Sequence, residues 1–165
     1  MTETPRRLAH DEIEAVAQLA RRVWQATYPA LITQAQIDFM LADRYAASRI
    51  RQQLDDPRHA WWITGMAGAP NGFAHALLGD PHDCKLDKLY VDPGLQRQGL
   101  GRALLGAVRV WAQHHHARCV RLQVNRGNVG ALKAYEHYGF RIIESRVFDI
   151  GQGFVMDDHV MEMPL

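Results

Sequence analysis

The residues best suited to chemistry lie in one glycine-containing segment, from Asp92 to Arg102, between a predicted strand and a predicted helix. Gly99 and Gly101 allow the backbone to adopt positive φ and to approach a ligand closely. The helix that follows presents unpaired N–H groups and the positive end of its dipole, and Arg97 and Arg102 add two cations. Together these features predict a loop that binds a pyrophosphate group.

Other phosphate-binding loops have spacings that this segment lacks. A Walker A loop requires Gly-x-x-x-x-Gly-Lys-Ser/Thr, and the sequence contains no Lys-Ser or Lys-Thr pair. The dinucleotide fingerprint requires Gly-x-Gly-x-x-Gly, and the glycine after Gly101 is Gly106, inside the predicted helix. On this segment alone, a glycine-containing helix cap without a ligand remains the alternative.

Hydrophobic periodicity predicts the elements that position this loop. A first stretch with helical spacing begins at Asp11 and ends at Pro29. A second stretch follows it, is broken near Asp43 and stops before Pro57. The other predicted bounds are 34–54 for the second helical stretch, and 101–115 and 129–138 for the later helices, the last of which is preceded by Asn128. The predicted strands are 6–10, 60–66, 73–78, 85–91, 120–124, 140–147 and 154–163. This order predicts a mixed α/β sheet with helices on its faces.

The composition is that of an ordinary globular protein. The 165 residues suit one domain spanning 1–165, and a formal net charge of +1 gives no general attraction to nucleic acid or to an anionic membrane. The two cysteines are too few for a disulfide framework, and the histidines at 114–116 have no acidic partner nearby for a metal. With no run of about 20 apolar residues, we expect a cytoplasmic protein without a bound metal.

Two segments carry a resemblance to a known family. Residues 96–101, Gln-x-x-Gly-x-Gly, resemble the Gln/Arg-x-x-Gly-x-Gly/Ala signature of the GNAT superfamily of acetyl-CoA-dependent N-acetyltransferases. Residues 128–140, Asn-x-x-Ala-x-x-x-Tyr-Glu-x-x-Gly-Phe, resemble the later motif of the same family. The resemblance implies a mixed, mostly antiparallel central sheet of about six or seven strands, with a splayed central pair and helices on both faces. It also implies acetyl-coenzyme A as the acyl donor.

The resemblance further implies which residues bind the cofactor. The backbone of the splayed strand would pair with amides of the pantetheine arm, as an added strand does. The loop N–H groups would bind the pyrophosphate, and Asn128 would lie beside the arm. The cofactor-binding residues predicted in this way are Leu89, Tyr90, Val91, Gln96, Arg97, Gln98, Gly99, Leu100, Gly101, Arg102, Asn128 and Tyr135.

Attack of an amine on a thioester requires loss of an amine proton, a donor to the oxyanion and an acid for the departing thiolate. By the resemblance, the N–H of Val91 is the donor and Tyr135 is the acid, with a satisfied core tyrosine as the alternative. The base is left open, because Lys85 and Gln123 stand where relatives have glutamates, and neither side chain is a plausible base. The amine proton could also pass directly into a chain of water molecules.

Asp87 is the nearest carboxylate and is the predicted second catalytic residue. Strand alternation places it on the same face as Lys85 and Leu89, where it could act through a water molecule. A structural pair with a lysine is the alternative for Asp87. His75, on the neighbouring strand, is a further candidate, with a solvated or core histidine as the alternative.

The acceptor is predicted to be a small amine such as a polyamine. Because the first helices cap the acceptor side in the family, Trp24 and Tyr28 are predicted to bind the acceptor, with plain packing as the alternative. His75 is the third predicted substrate-binding residue. A polycation slot could be lined by Asp149, Asp157 and Asp158. A peptide or protein N-terminus as acceptor, or a catalytically silent acetyl-CoA sensor, are the alternatives. Exposed strand edges near the C-terminus make a homodimer reasonable.

Overall fold

The computed structural model describes residues 3–79 and 81–165. Within them it has seven strands and five α-helices. The strands are β1 (Arg6–Arg7), β2 (His59–Met66), β3 (Ala69–Leu78), β4 (Asp83–Val91), β5 (Cys119–Asn125), β6 (Arg141–Gly151) and β7 (Phe154–Pro164). The helices are α1 (Ile13–Thr27), α2 (Gln34–Arg44), α3 (Ala47–Asp55), α4 (Leu100–His114) and α5 (Val129–Tyr138). No helix in the described residues is long and apolar enough to cross a membrane.

The seven strands form one sheet in the order β1-β2-β3-β4-β5-β7-β6. Every neighbouring pair is antiparallel except the central pair, β4 and β5, which is parallel. The connection between these two strands contains α4, because a parallel pair requires a crossover. This mixed, mostly antiparallel sheet confirms the predicted fold class.

Helices cover both faces of the sheet and bury an apolar layer on each. On the first face, α1 presents a stripe of buried residues, Val16, Leu19, Ala20 and Val23. Their spacing of three and four residues is the reason that the segment folds as an amphipathic helix. On the opposite face, α4 buries Leu104 in a second apolar layer. Burial of each large aliphatic side chain contributes about 1.5–3 kcal/mol. We call these two sides the α1 face and the α4 face.

The two central strands splay apart towards their carboxyl ends. They pair only at their first three positions, which end with Lys85 opposite Arg121. Beyond that point β4 continues to pair with β3 as far as Val91, and β5 continues to pair with β7 as far as Asn125. A gap therefore opens in the middle of the sheet, as the resemblance implied.

One residue of β4 has no partner in the ladder with β3. His75 pairs with Lys88 and Ala76 pairs with Leu86, so Asp87 is an extra residue that forms a β-bulge. A bulge bends its strand and interrupts the alternation of side chains between the two faces. The alternation of β4 is therefore offset by one residue after Asp87.

The bulge changes the predicted orientation of side chains in β4. Lys85 and Asp87 share a face as predicted, with 3.6 Å between Nζ of the lysine and Oδ1 of the aspartate. Leu89 instead packs in the apolar layer of the α4 face, together with Leu86. The prediction that Leu89 shares a face with Asp87 is wrong, because counting by twos fails across an extra residue.

Several boundaries differ from the sequence prediction. β1 ends at Arg7 and not at 10, and β3 begins at Ala69 and not at 73. The second helical stretch is broken at Tyr45 and Ala46, just beyond Asp43, and Tyr45 turns its ring into the core. The last two strands run further than predicted and join at 151–153, where all three residues have positive φ. The end of β6 was missed because this edge strand is exposed along most of its length and carries little hydrophobic alternation.

Candidate active site

The gap between β4 and β5 opens into a cavity of about 460 Å³, which we call the central cleft. The cleft is bounded by the loop before α4 and by α5 on one face, and by α1, α2 and β7 on the other. Its lining includes Trp24, Tyr28, Met40, Arg44, Lys85, Asp87, Leu89, Tyr90, Val91, Gln96, Arg97, Gly99, Leu100, Gly101, Gln123, Asn125, Asn128, Tyr135, Tyr138, Met156 and Asp158.

The loop before α4 offers backbone donors to the central cleft. Asp92 begins the loop, and its Oδ1 accepts a hydrogen bond from the N–H of Gly94 at 3.0 Å. Arg97 and Gly99 adopt positive φ, at 64° and 84°. Among the described residues, no backbone N–H from Arg97 to Arg102 has a protein acceptor. These donors and the positive end of α4 form a site for an anion such as pyrophosphate.

The structure brings all the predicted cofactor-binding residues except Gln98 and Arg102 to the wall of the central cleft. The side chains of these two residues are exposed and lie outside the cleft lining. Only their backbone N–H groups remain in the predicted role. The predicted loop, strand and helix therefore meet at one site.

The backbone of β4 has hydrogen-bonding groups that face the gap. The N–H of Asp92 donates to the carbonyl of Asn71, on the β3 side. Because successive residues of a strand direct their N–H groups to opposite edges, Val91 and Leu89 direct theirs into the gap. The carbonyl of Val91 also accepts a hydrogen bond from Nε2 of Gln96, at 3.5 Å. An extended amide-containing chain can pair with this edge as an added strand does.

Helix α5 carries Asn128 and Tyr135 to the cleft. Oδ1 of Asn128 caps the helix by accepting an N–H of the first turn at 3.3 Å, and Gly139, with φ of 106°, ends it. Tyr135 lies about two turns beyond Asn128 and therefore on the same side of the helix. Burial, with Tyr28 and Tyr138 nearby, raises the pKa of Tyr135. Its phenol stays protonated at neutral pH and can donate a proton.

Asp87 belongs to a charged cluster on the α1 face. Its Oδ2 contacts Nζ of the buried Lys88 and lies 3.2 Å from Nδ1 of His75, while Oδ1 faces Lys85. Burial alone would raise the pKa of Asp87, but Lys88, His75 and Lys85 outweigh it and hold this pKa well below its usual range. A carboxylate stabilised by these partners accepts a proton poorly. The geometry therefore favours the structural-pair alternative for Asp87.

His75 lies behind Asp87 and outside the central cleft. It is 1% exposed, and its ring stacks on Trp61 with 4.6 Å between centroids. Burial lowers the pKa of His75 to about 4, despite its hydrogen bond to Asp87, so the ring is neutral near pH 7. It lines a smaller adjoining pocket of about 360 Å³. The structure therefore does not bring His75 together with the other predicted substrate-binding residues.

Trp24 and Tyr28 form an aromatic wall of the cleft on the α1 face. Their ring centroids are 4.4 Å apart. Nε1 of Trp24 donates to the hydroxyl of Tyr45 at 3.2 Å, and the hydroxyls of Tyr28 and Tyr90 are 3.0 Å apart. Because their polar atoms already have partners within the protein, these residues shape the cleft by packing.

Sequence reasoning missed Arg44 as a cleft residue and gave Asp158 only a minor role. Arg44 ends α2 and lines both the central cleft and the smaller pocket. Asp158, on β7, is 5% exposed, and its Oδ1 has no hydrogen-bond partner among the described residues. Burial raises the pKa of Asp158 to about 6, against the opposing charges of Arg44 and Lys85. Both residues are far in sequence from the cofactor motifs, so spacing gave no signal for them.

A splayed parallel pair, a loop with free donors and a helix that presents a tyrosine together define an acyl-CoA-dependent N-acetyltransferase. The acetyltransferase (GNAT) family matches residues 14–140 of this sequence. The chain therefore belongs to the GNAT family of acetyltransferases.

Individual relatives agree with this membership. An uncharacterized N-acetyltransferase of Mycobacterium tuberculosis is 30% identical over 140 residues, which cover 85% of this chain and 90% of that protein. The PaiA N-acetyltransferase of Thermoplasma acidophilum, solved in complex with coenzyme A, has a TM-score of 0.84 at 19% identity over 100% of both chains. The ribosomal-protein-S18-alanine N-acetyltransferase of Escherichia coli has a TM-score of 0.72 at 21% identity, over 99% of this chain and 94% of that one. The two structural likenesses show a shared fold.

Proposed function

We propose that this protein transfers an acetyl group from acetyl-coenzyme A to a primary amine, by direct attack within a ternary complex. The observation that carries this proposal is the gap between β4 and β5, which has free backbone donors beside it and a cleft that reaches both faces of the sheet. The relatives named as N-acetyltransferases support the activity, and the coenzyme A in the Thermoplasma acidophilum structure supports the acyl donor.

The residues of the cleft fit coenzyme A. The N–H groups of 97–102 suit the pyrophosphate, and the gap-facing groups of Leu89 and Val91 suit the pantetheine amides. A Cβ added at Gly101 would stand 3.5 Å from the Tyr138 hydroxyl and 3.8 Å from Cγ2 of Val91. A side chain there would fill the cradle that the backbone leaves for the phosphates. When bound, acetyl-coenzyme A would supply the acetyl group as a thioester.

The cleft also offers groups for the chemical steps. The amine nitrogen attacks the carbonyl carbon of the thioester, the carbon–sulfur bond breaks, and the products are an amide and the thiol of coenzyme A. The N–H of Val91 stabilises the oxyanion that develops. Tyr135 gives its proton to the departing thiolate and regains one from solvent. Since its cationic neighbours keep the pKa of Asp87 low and make it a poor base, the amine proton passes to a water molecule or to another carboxylate of the cleft.

A small amine is the acceptor that we favour, and a polyamine has weaker support. Asp157 pairs with Arg126 at 2.7 Å, and Oδ1 of Asp149 accepts the N–H of Gly151 at 2.8 Å. Of the three aspartates considered for a polycation slot, only Asp158 lines the cleft. A peptide N-terminus is the alternative acceptor, since one structural neighbour is named for acetylating a protein alanine.

A silent acetyl-CoA sensor is the second candidate function. It is favoured by Lys85 and Gln123, which line the cleft at the positions where relatives have glutamates. An ammonium group has no lone pair with which to accept a proton, and an amide is a very weak base. The two candidates share the cofactor site and differ only in turnover.

A thermal-shift assay with coenzyme A and a thiol-release assay with a panel of amines separate these candidates. At a hundredfold excess over Kd, coenzyme A should stabilise the protein by about 2.7 kcal/mol. Thiol release with an amine supports the acetyltransferase, and binding without release from any amine supports the sensor. No shift at about 1 mM coenzyme A overturns both, because cofactor binding must then be weak or absent.

The exposed edge strand β6 supports the prediction of a homodimer. β6 is an edge strand, paired on one side with β7. Its exposed apolar residues include Ile142, Ile143 and Val147. Unpaired edges of this kind pair readily with a second chain. Light scattering on the purified protein measures the mass, and a monomer at all concentrations would contradict the prediction. The cytoplasmic location also stays a prediction.

A further inference from the structure

The acceptor half of the central cleft, on the α1 face, has an uneven distribution of charge. Its wall carries the cations Arg44 and Lys85 and the carboxylates Asp87 and Asp158. Asp87 is already neutralised by the buried Lys88. An acceptor therefore meets positive charge at Arg44 and Lys85, and negative charge at Asp158.

Arg44 is a cation that the protein leaves available. The neighbouring carboxylate of Asp43 pairs with Arg49 at 2.8 Å, whereas Arg44 has no ion-pair partner among the described residues. Lys85, whose side chain is 43% exposed, adds a second positive charge to the same wall. A guanidinium binds a carboxylate through two parallel hydrogen bonds, and it does so with more geometric specificity than an ammonium. This part of the cleft therefore suits an anionic group of the acceptor.

Asp158 is the complementary group, a carboxylate that the fold buries without a direct partner. Its backbone pairs with Asn125, at the wide end of the gap. Burial of an unpaired carboxylate is unfavourable, and an ammonium ion would supply both the opposite charge and the N–H donors that Oδ1 lacks. The adjacent Asp157 is engaged by Arg126, so it does not replace Asp158 in this role.

We infer that the acceptor is a small zwitterion, an amine that also carries a carboxylate a few bonds away, as an amino acid does. Its carboxylate binds Arg44 and Lys85, and its ammonium group binds Asp158. This inference rests on the proposed acetyl transfer and adds the class of substrate. Asp158 takes the proton of the ammonium group, and the neutral amine then attacks the thioester.

The same charges explain why a polycation is a poor fit. If one ammonium group of a diamine lies at Asp158, the other approaches Arg44 and Lys85 and is repelled. The raised pKa of Asp158, about 6, brings its proton affinity closer to that of a useful base at neutral pH. Arg44 on α2, Lys85 on β4 and Asp157 on β7 are the charged groups that set this pKa, together with burial.

Matched pairs of acceptors test the inference in the thiol-release assay. The pairs are lysine with cadaverine, ornithine with putrescine, and β-alanine with ethylamine, which differ within each pair only by the carboxylate. In the pair that contains the best acceptor, we expect kcat/KM to be at least about tenfold higher for the compound with the carboxylate than for the compound without it. The difference should come from a lower KM.

Four variants assign the effect to its residues. Arg44→Gln should reduce the carboxylate preference to less than about threefold, while Arg49→Gln, on the same side of the protein but outside the central cleft, should retain it. Asp158→Asn should lower kcat/KM for both members of a pair and remove the acidic limb of the pH profile near pH 6. Asp157→Asn should leave kcat/KM unchanged and keep the acidic limb, which should move only slightly to lower pH because the charge of Asp157 contributes to the raised pKa of Asp158.

Each outcome bears on a different statement. Diamines that react as well as the amino acids, or an Arg44→Gln variant that keeps the preference, overturn the inference and leave acetyl transfer standing. An Asp158→Asn variant with an unchanged pH profile overturns the role of that carboxylate. No thiol release from any acceptor, under conditions in which coenzyme A still raises Tm, overturns the proposed function, and this inference with it.

Discussion

Replacement of Asp158 by asparagine should stabilise the folded protein while it impairs catalysis. Burial raises the pKa of this carboxyl from 3.8 to about 6, even with Arg44 and Lys85 opposing the shift. At about 1.4 kcal/mol per pKa unit, this difference corresponds to a destabilisation of about 3 kcal/mol at neutral pH. An asparagine amide at the same place would still lack a partner at Oδ1, which costs about 1 kcal/mol. We therefore expect a net gain of about 2 kcal/mol.

The gain should depend on pH in a defined direction. Between pH 4 and pH 6 the native Asp158 binds more protons than the unfolded one, so the stability of the wild type falls as pH rises through this window. The Asp158→Asn variant does not lose this stability, because its side chain at position 158 does not titrate. The advantage of Asp158→Asn should therefore be smallest near pH 4, grow by about 1.4 kcal/mol between pH 5 and pH 8, and be complete above pH 7.

Urea denaturation at pH 5 and pH 8 measures this difference directly. At neutral pH, a gain of about 2 kcal/mol should raise Tm by about 5 °C for a chain of this length. Asp157→Asn is the matched control, because it removes an exposed carboxylate paired with Arg126 and should change stability by less than about 0.5 kcal/mol. If Asp158→Asn is no more stable than the wild type, or if its advantage is the same at both pH values, the reasoning about this carboxylate is refuted.

Three further predictions follow from the site and the core. Tyr135→Phe should lower kcat by at least about a hundredfold, since a general acid is lost, without changing the Kd of coenzyme A measured by calorimetry. Gly99→Ala should lower stability by about 1 kcal/mol, because φ there is 84°, whereas Gly101→Ala should keep the wild-type Tm and weaken coenzyme A binding by at least about tenfold. Burial raises the pKa of Cys84 to about 12 and that of Cys119 to about 11, so in the native state Ellman's reagent at pH 8 should modify both at least about a hundredfold more slowly than a free thiol.

Each of these predictions has a result that contradicts it. A Tyr135→Phe enzyme with full turnover would remove that residue from the acid role. Equal Tm values for the alanine variants of Gly99 and Gly101 would contradict the prediction that alanine strains the backbone at Gly99 and not at Gly101. Rapid labelling of the native thiols would show that the cysteines are accessible, and it would also disturb a thiol-release assay based on the same reagent.

The local structure around the proposed cofactor site was predictable because its signals are local. The spacing of Gly99 and Gly101, the cap at Asn128 and the helix end at Gly139 are each encoded within a few residues. Positive φ and helix capping depend on the residue itself and its immediate neighbours. The order of strands and helices was predictable for a similar reason, since alternation and helical spacing are properties of short windows.

The acceptor half was not predictable because it depends on pairings between distant segments. Arg44 and Asp158 are brought to one wall by the packing of α2 on the sheet and by the pairing of β7 with β5. Neither residue has a distinctive local pattern. The bulge at Asp87 was also invisible, because an extra residue in a ladder is defined only by the strand opposite to it.

The bulge also affects how β4 should be mutagenised. A library that varies alternate positions from 83 to 91 would randomise charged residues in one half of the strand and partly buried aliphatic residues in the other, since the alternation is offset at Asp87. Positions 83–86 and 88–91 should therefore be varied as two separate sets, each with its own phase. Attempts to redesign which amine the enzyme accepts should begin with the first set, together with the end of α2. The second set forms the edge at which we propose that the acyl donor binds.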